Sequence, residues 1–98
     1  MDELKQYSLL ARLGWQLVVM GALIELRSSP HEPPTLRIFR RRGQWVPVRA
    51  DMREGRPVFL MPKAKVAPPQ WRSVEARSSK AAVEVRDLVR SSAGRNEA

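Results

Sequence analysis

Apolar positions along this chain change period twice. From Leu4 to Gly21 they recur at helical spacing: Leu4, Tyr7, Leu10/Ala11, Gly14 and Leu17/Val18. Asp2 stands where an N-cap is wanted, and Gly21 where a left-handed residue stops a helix. Gly14 is the competing stop, which would make Trp15–Met20 a strand. The 3.6-residue period runs through it unbroken, so the longer helix is expected. Its apolar surface is wide, which suits a helix sandwiched in the core or shared with another subunit.

Period two then takes over. Ala22–Arg27 alternates and reads as a strand once the helix has stopped. Ser28–Pro34 holds three prolines within five residues and is expected to be a loop. Thr35–Arg40, Trp45–Ala50 and Pro57–Met61 are short apolar runs separated by glycine-bearing turns, the pattern of a β-meander. Ala67-Pro68-Pro69 separates them from a final helix with Trp71, Val74, Ala81, Val85 and Leu88/Val89 on its packing face. Ser79 is an alternative start that leaves residues 70–78 as linker, and Gly94 is the expected end. The fold class that follows is α+β: an N-terminal helix, a three- to four-stranded antiparallel β-meander and a C-terminal helix. One small domain is expected over residues 1–92, with a frayed tail at 93–98.

Register decides what the first hairpin presents. Arg41-Arg42-Gly43 suits a three-residue loop with glycine in the left-handed position, pairing Arg40 with Gln44, Ile38 with Val46 and Leu36 with Val48. Leu36, Ile38, Val46 and Val48 then form a core face, and Arg37, Phe39, Arg41, Trp45 and Arg49 the opposite face. If Val48 meets Val58 and Val46 meets Leu60, Phe59 and Met61 join the arginine-aromatic side. That side is either an open platform or a second core face under a helix with arginines at its rim. Pro47 lacks a ladder donor and predicts an edge or a break in its strand.

Charge sharpens this picture. The formal charge is +8, from eighteen basic and ten acidic side chains. Residues 37–65 carry nine basic groups against Asp51 and Glu54, whereas residues 1–36 carry three against four. Such a concentration is the electrostatic footprint of a polyanion-binding surface. Arginines interleaved with aromatic rings on a sheet suit single-stranded nucleic acid, because rings stack bases and guanidinium groups hold phosphates. The candidate nucleic-acid contacts are Arg37, Arg40, Arg41, Arg42, Trp45, Arg49, Arg53, Lys63 and Lys65. An acidic protein partner is the other reading of the same charge.

The first helix supplies a second candidate surface, a homo-oligomer or protein interface at Leu10, Leu13, Leu17 and Met20. A membrane role is disfavoured: the apolar run Leu13–Ile24 is twelve residues long and bracketed by Arg12 and Glu25, against the ~20 that cross a bilayer. The acidic start Met1-Asp2-Glu3 is unlike a secretory signal, and the absence of cysteine suits a cytoplasmic setting. Catalysis is not expected. The one histidine, His31, sits in a proline-rich segment, no phosphate-binding or nucleophile motif occurs, and without cysteine no usual transition-metal site can be assembled. Neither a cofactor nor a catalytic residue is therefore assigned. The expected function is that of a small basic nucleic-acid-binding accessory or regulatory protein acting through an Arg-rich β-hairpin, with a protein-interaction or homo-oligomerisation module as the alternative.

Overall fold

Asp2 opens the first helix by accepting the Lys5 N–H at 2.8 Å on its carboxylate, satisfying one of the free amides of the first turn. Helix α1 spans Glu3–Val19 and passes through Gly14 without interruption. It ends as the sequence predicts. Gly21 takes φ +90°, its N–H bonds the Val18 carbonyl, and the Ala22 N–H bonds the Leu17 carbonyl. These two bonds are a Schellman motif, which closes the last turn and sends the chain back across the helix.

The structure, a computed structural model, describes residues 1–40, 43–63 and 70–97, with the backbone alone for 92–97. After α1 come β1 (Ile24–Ser29), β2 (Glu32–Phe39), β3 (Trp45–Arg53), β4 (Arg56–Pro62), β5 (Trp71–Glu75) and helix α2 (Ala81–Glu97). The five strands form one antiparallel sheet in the order β1-β2-β3-β4-β5. The fold is α+β, with five strands rather than three to four. No helix among the described residues is long and apolar enough to cross a membrane.

The added strand is β5. Trp71 and Val74, expected on a helix face, lie in a strand that pairs Phe59 with Val74 and Met61 with Arg72. In five residues, one buried valine fits a period of two as well as one of 3.6, so the pattern cannot choose. α2 begins after a turn in which the Ser78 hydroxyl accepts the Lys80 N–H at 3.1 Å. Its buried face is Ala81, Ala82, Val85 and Val89, and it continues past Gly94 to Glu97.

Two further expectations are corrected at the prolines and at the second turn. Ser28–Pro34 is not a loop: β1 runs to Ser29 and β2 resumes at Glu32. Pro33 and Pro34 are tolerated because they lie where β1 shifts register, between Arg27 and Ser29, and beyond the last β3 pair, Leu36 with Val48. The second hairpin turns tightly at Glu54-Gly55, both with positive φ (51° and 76°), as a two-residue type I′ turn requires. Val58 therefore meets Asp51, and Leu60 meets Arg49, instead of Val48 and Val46. The shift is odd in parity. Phe59 and Met61 consequently face the core, and Val58 and Leu60 the other side.

The first hairpin keeps its predicted register. Leu36 pairs with Val48 and Ile38 with Val46, the Arg40 N–H bonds the Gln44 carbonyl at 2.8 Å, and Gly43 takes φ +74°. Alternation from the Arg40–Gln44 bond makes Arg37 and Pro47 a non-hydrogen-bonded pair, so the missing proline donor costs the β2 ladder nothing. On its other side β3 pairs with β4 only from Arg49 onward. Pro47 thus stands just before β3 exchanges one neighbour for the other, between Val48 and Arg49.

Both helices lie on one face. α1 crosses β1, β2 and β3 and touches α2, which packs on β5. Leu10, Leu13 and Leu17 join Leu36, Ile38, Val46, Val48, Phe59, Met61, Val74, Val85 and Val89 in a single core cluster. Fully burying each such side chain contributes about 1.5–3 kcal/mol. Gly14 sets how closely α1 approaches: a Cβ there would lie 2.8 Å from the Ile24 Cδ1 and 3.2 Å from the Leu36 Cδ1.

Gly14→Val is expected to destabilise the protein by roughly 1–3 kcal/mol, as overpacking does. A chemical denaturation curve reads this, and a midpoint at or above that of the wild type would contradict the close approach. Glu54→Asn places at a left-handed position a residue that tolerates it, and should stabilise by about 0.5–1 kcal/mol. The same measurement would count against the type I′ turn if the midpoint fell.

Candidate nucleic-acid interface

With both helices on the core side, no helix among the described residues covers the opposite sheet face. β2 and β3 contribute its centre. Phe39 and Trp45, directly paired across the hairpin, stack with parallel rings and centroids 5.4 Å apart. The Arg37 guanidinium lies over the Trp45 ring in a cation–π contact. On its other side, an Arg37 Nη1–H donates to the Glu25 Oε1 of β1 at 3.3 Å, and the same carboxylate pairs with Arg27 Nε at 3.3 Å. Burial and then the neighbouring Arg27 charge push the Arg37 guanidinium below its usual pKa, and Glu25 opposes them. An arginine remains protonated at any ordinary pH nonetheless.

A second arginine–tryptophan pair lies further across the same face. The Arg49 guanidinium of β3 is 5.8 Å from the ring centroid of Trp71 on β5. Between these strands, Leu60 pairs with Arg49 on one side and Ser73 on the other, and it is buried together with Val58. The face thus has an apolar floor, with guanidinium groups over the tryptophan rings and the carboxylates of Asp51 and Glu75 on either side of Val58. An open depression of about 570 Å³ lies over the β1–β3 part, lined by Arg27, Glu32, Thr35, Arg37, Trp45 and Arg49 among others. Its three arginines outnumber the carboxylates of Glu32 and of Glu25, which pairs with Arg27 and Arg37, by one, and Arg49 is the arginine of the three that Glu25 does not pair with.

The structure brings together Arg37, Trp45 and Arg49 from the expected set. Arg53 is an exposed residue on the far end of β3, paired with Arg56 at the turn. Lys63 is exposed just past β4, where its N–H bonds the Gln70 carbonyl. Arg41, Arg42 and Lys65 lie outside the described residues. Arg40 does not share the face. Strand alternation turns it to the helix side, where Nε and Nη2 are buried beside a cavity formed with Met20, Arg86 and Arg90. Trp71 and Arg27 are contributors that sequence reasoning missed. The sequence pattern places Trp71 on a helix face, and nothing in it relates β5 to Arg49 some twenty residues earlier.

The helix positions expected at an oligomer interface lie elsewhere. Leu10, Leu13 and Leu17 are buried within this chain's own core, and Met20 is packed partly against it. A buried side chain is not available to a second subunit. His31 is exposed at the β1–β2 turn, and among the described residues no three His, Asp or Glu side chains come together as a metal site would need. Compared with protein-family models, curated proteins and solved structures, the chain matches none of them.

Proposed function

We propose that this is a small basic nucleic-acid-binding accessory or regulatory protein that holds a single strand against the helix-free sheet face. The observation that carries the reading is the Phe39–Trp45–Arg37 stack, continued across the sheet by Arg49 and Trp71. Aromatic faces accept bases of any sequence, and flanking guanidinium groups neutralise the phosphates that pass between them. The charge balance supports it, since seven of the net eight positive charges fall within residues 37–65.

The hairpin acts here through its open face, where Arg37, Phe39 and Trp45 lie. Trp45 is already engaged by Phe39 and Arg37, so a base would reach the assembly through the exposed part of Trp45 or through Trp71. Trp71 is over a third exposed. Arg37 is held in place by Glu25, which limits the side-chain entropy that binding must remove. On this reading the protein acts by binding and carries out no reaction of its own.

Fluorescence anisotropy with labelled oligothymidine and oligouridine over a range of salt concentrations tests the proposal. Affinity should fall steeply with salt. Trp45→Ala should weaken binding about tenfold or more, as loss of a stacking platform does. Arg49→Ala should flatten the log–log salt dependence by about 0.7, the value of one phosphate contact on a single strand. Arg90→Ala, on the exposed side of α2, should change either quantity little. Absence of binding at low salt, or wild-type affinity in Trp45→Ala, would overturn the reading.

A further inference from the structure

The sheet ends at β1, and this edge is open beside an apolar helix face that the fold leaves uncovered. On α1, Leu4 is 79% exposed, Trp15 71% and Val19 72%, with Leu23 at 72% just beyond the helix. Leu4, Tyr7, Ala11, Trp15 and Val18 recur at spacings of three and four, so they form one stripe along the helix. A contiguous exposed apolar stripe of this kind marks an interaction surface. It runs along the β1 side of α1, for Leu4 and Tyr7 adjoin Ser28, Ser29 and Pro30 around a common depression.

The hydrogen-bond phase of β1 shows what the edge can accept. The Phe39 N–H bonds the Leu23 carbonyl at 2.9 Å, so Leu23, Glu25 and Arg27 turn their main-chain groups toward β2. Ile24 and Leu26 therefore turn theirs outward. An antiparallel copy of β1 with Leu26 on a two-fold axis would use these outward groups, Leu26 N–H to the Leu26 carbonyl of the other chain and the reverse. The same register sets Glu25 opposite Arg27 of the second copy, twice over, as a close non-hydrogen-bonded pair of opposite charge. The strand is self-complementary in both hydrogen bonding and charge.

The helix stripe obeys the same axis. Gly14 lies over Ile24. Moving two strand residues to Leu26 covers about 6.6 Å, equivalent to about four helix residues in the opposite direction. That places the axis near Ala11. Around it Leu4 meets Val18 of the second copy, Tyr7 meets Trp15, and the two Ala11 side chains are small enough for the helices to approach. We infer that the protein is an isologous dimer built by β1 pairing with β1 and α1 packing against α1 of a second copy. The sheet continues across the axis, which leaves both helix layers on one side and joins the two arginine–aromatic faces on the other. The dimer stands independently of any ligand on that face.

Size-exclusion chromatography with light scattering on the full chain tests this. The wild type should elute with twice the mass of its 11.2 kDa chain. Ala11→Glu, an exposed helical substitution that places like charges at the axis, should be a monomer with an unchanged circular dichroism spectrum. Glu25→Arg and Arg27→Glu should each be monomeric, because each sets like charges opposite one another. Mixing these two variants makes every pair across the axis opposite in sign and should restore a dimer. A monomeric wild type at about 100 µM, within the micromolar-to-millimolar range in which exposed apolar surfaces and unpaired strand edges drive association, would overturn the inference. So would charge variants that dimerise alone or fail to pair when mixed. If the monomer instead floats with anionic phospholipid vesicles, the stripe meets lipid and the dimer is wrong.

Discussion

Two helices on one side of the sheet are the constraint from which the rest of this molecule follows. α1 commits Leu10, Leu13 and Leu17 to the β1–β3 surface, and Gly14 lets it settle against Ile24 and Leu36 without an intervening side chain. α2 completes the same layer over β5 and touches α1. A five-stranded sheet has two faces, and spending both helices on one leaves the other to its own side chains. Phe39, Trp45, Leu60 and Val58 are then sheltered by their cross-strand neighbours on that face rather than by a helix. Arg27, Arg37 and Arg49 stay on that face because no helix among the described residues is packed over them.

Turn chemistry decided which residues reached that face. At the first hairpin Gly43 marks a three-residue loop, and alternation on both sides points to the same register, so the face of Arg37, Phe39, Trp45 and Arg49 was legible in the sequence. At the second hairpin the pattern misleads. Val58, Phe59, Leu60 and Met61 are all apolar, so they read equally well in either phase, and Glu54-Gly55 does not advertise a type I′ turn as Asn-Gly would. A one-position difference exchanged Val58 and Leu60 with Phe59 and Met61. β5 was illegible for a related reason: its single buried valine acquires meaning only from its partner Phe59 on β4. The prolines misled in another way, since Pro33, Pro34 and Pro47 occupy strand positions whose ladders are absent or face elsewhere.

The same parity argument divides the basic residues into two groups. Arg37 and Arg49 stand over tryptophan rings on the open face, whereas Arg40 is turned beneath, beside Arg86 at the end of α1. Local composition treats Arg37 and Arg40 as one cluster; the strand separates them. On the proposed reading, the face and the self-complementary edge of β1 cooperate. Pairing of two copies would bring Arg27 and Glu25 of each chain to the centre of one long surface, so that a strand too short to fill it would bind through one half alone.

Three tryptophans on two surfaces make this account directly measurable: Trp15 on the outer side of α1, and Trp45 in the hairpin stack with Trp71 on β5 across the helix-free face. Each gives one indole N–H signal in a ¹H–¹⁵N spectrum, assignable by single substitution. Titration with a single-stranded oligonucleotide should move the Trp45 and Trp71 signals together and leave that of Trp15 in place. Movement of Trp15 alone, or of none of the three at saturating oligonucleotide, would contradict the helix-free face as the nucleic-acid surface.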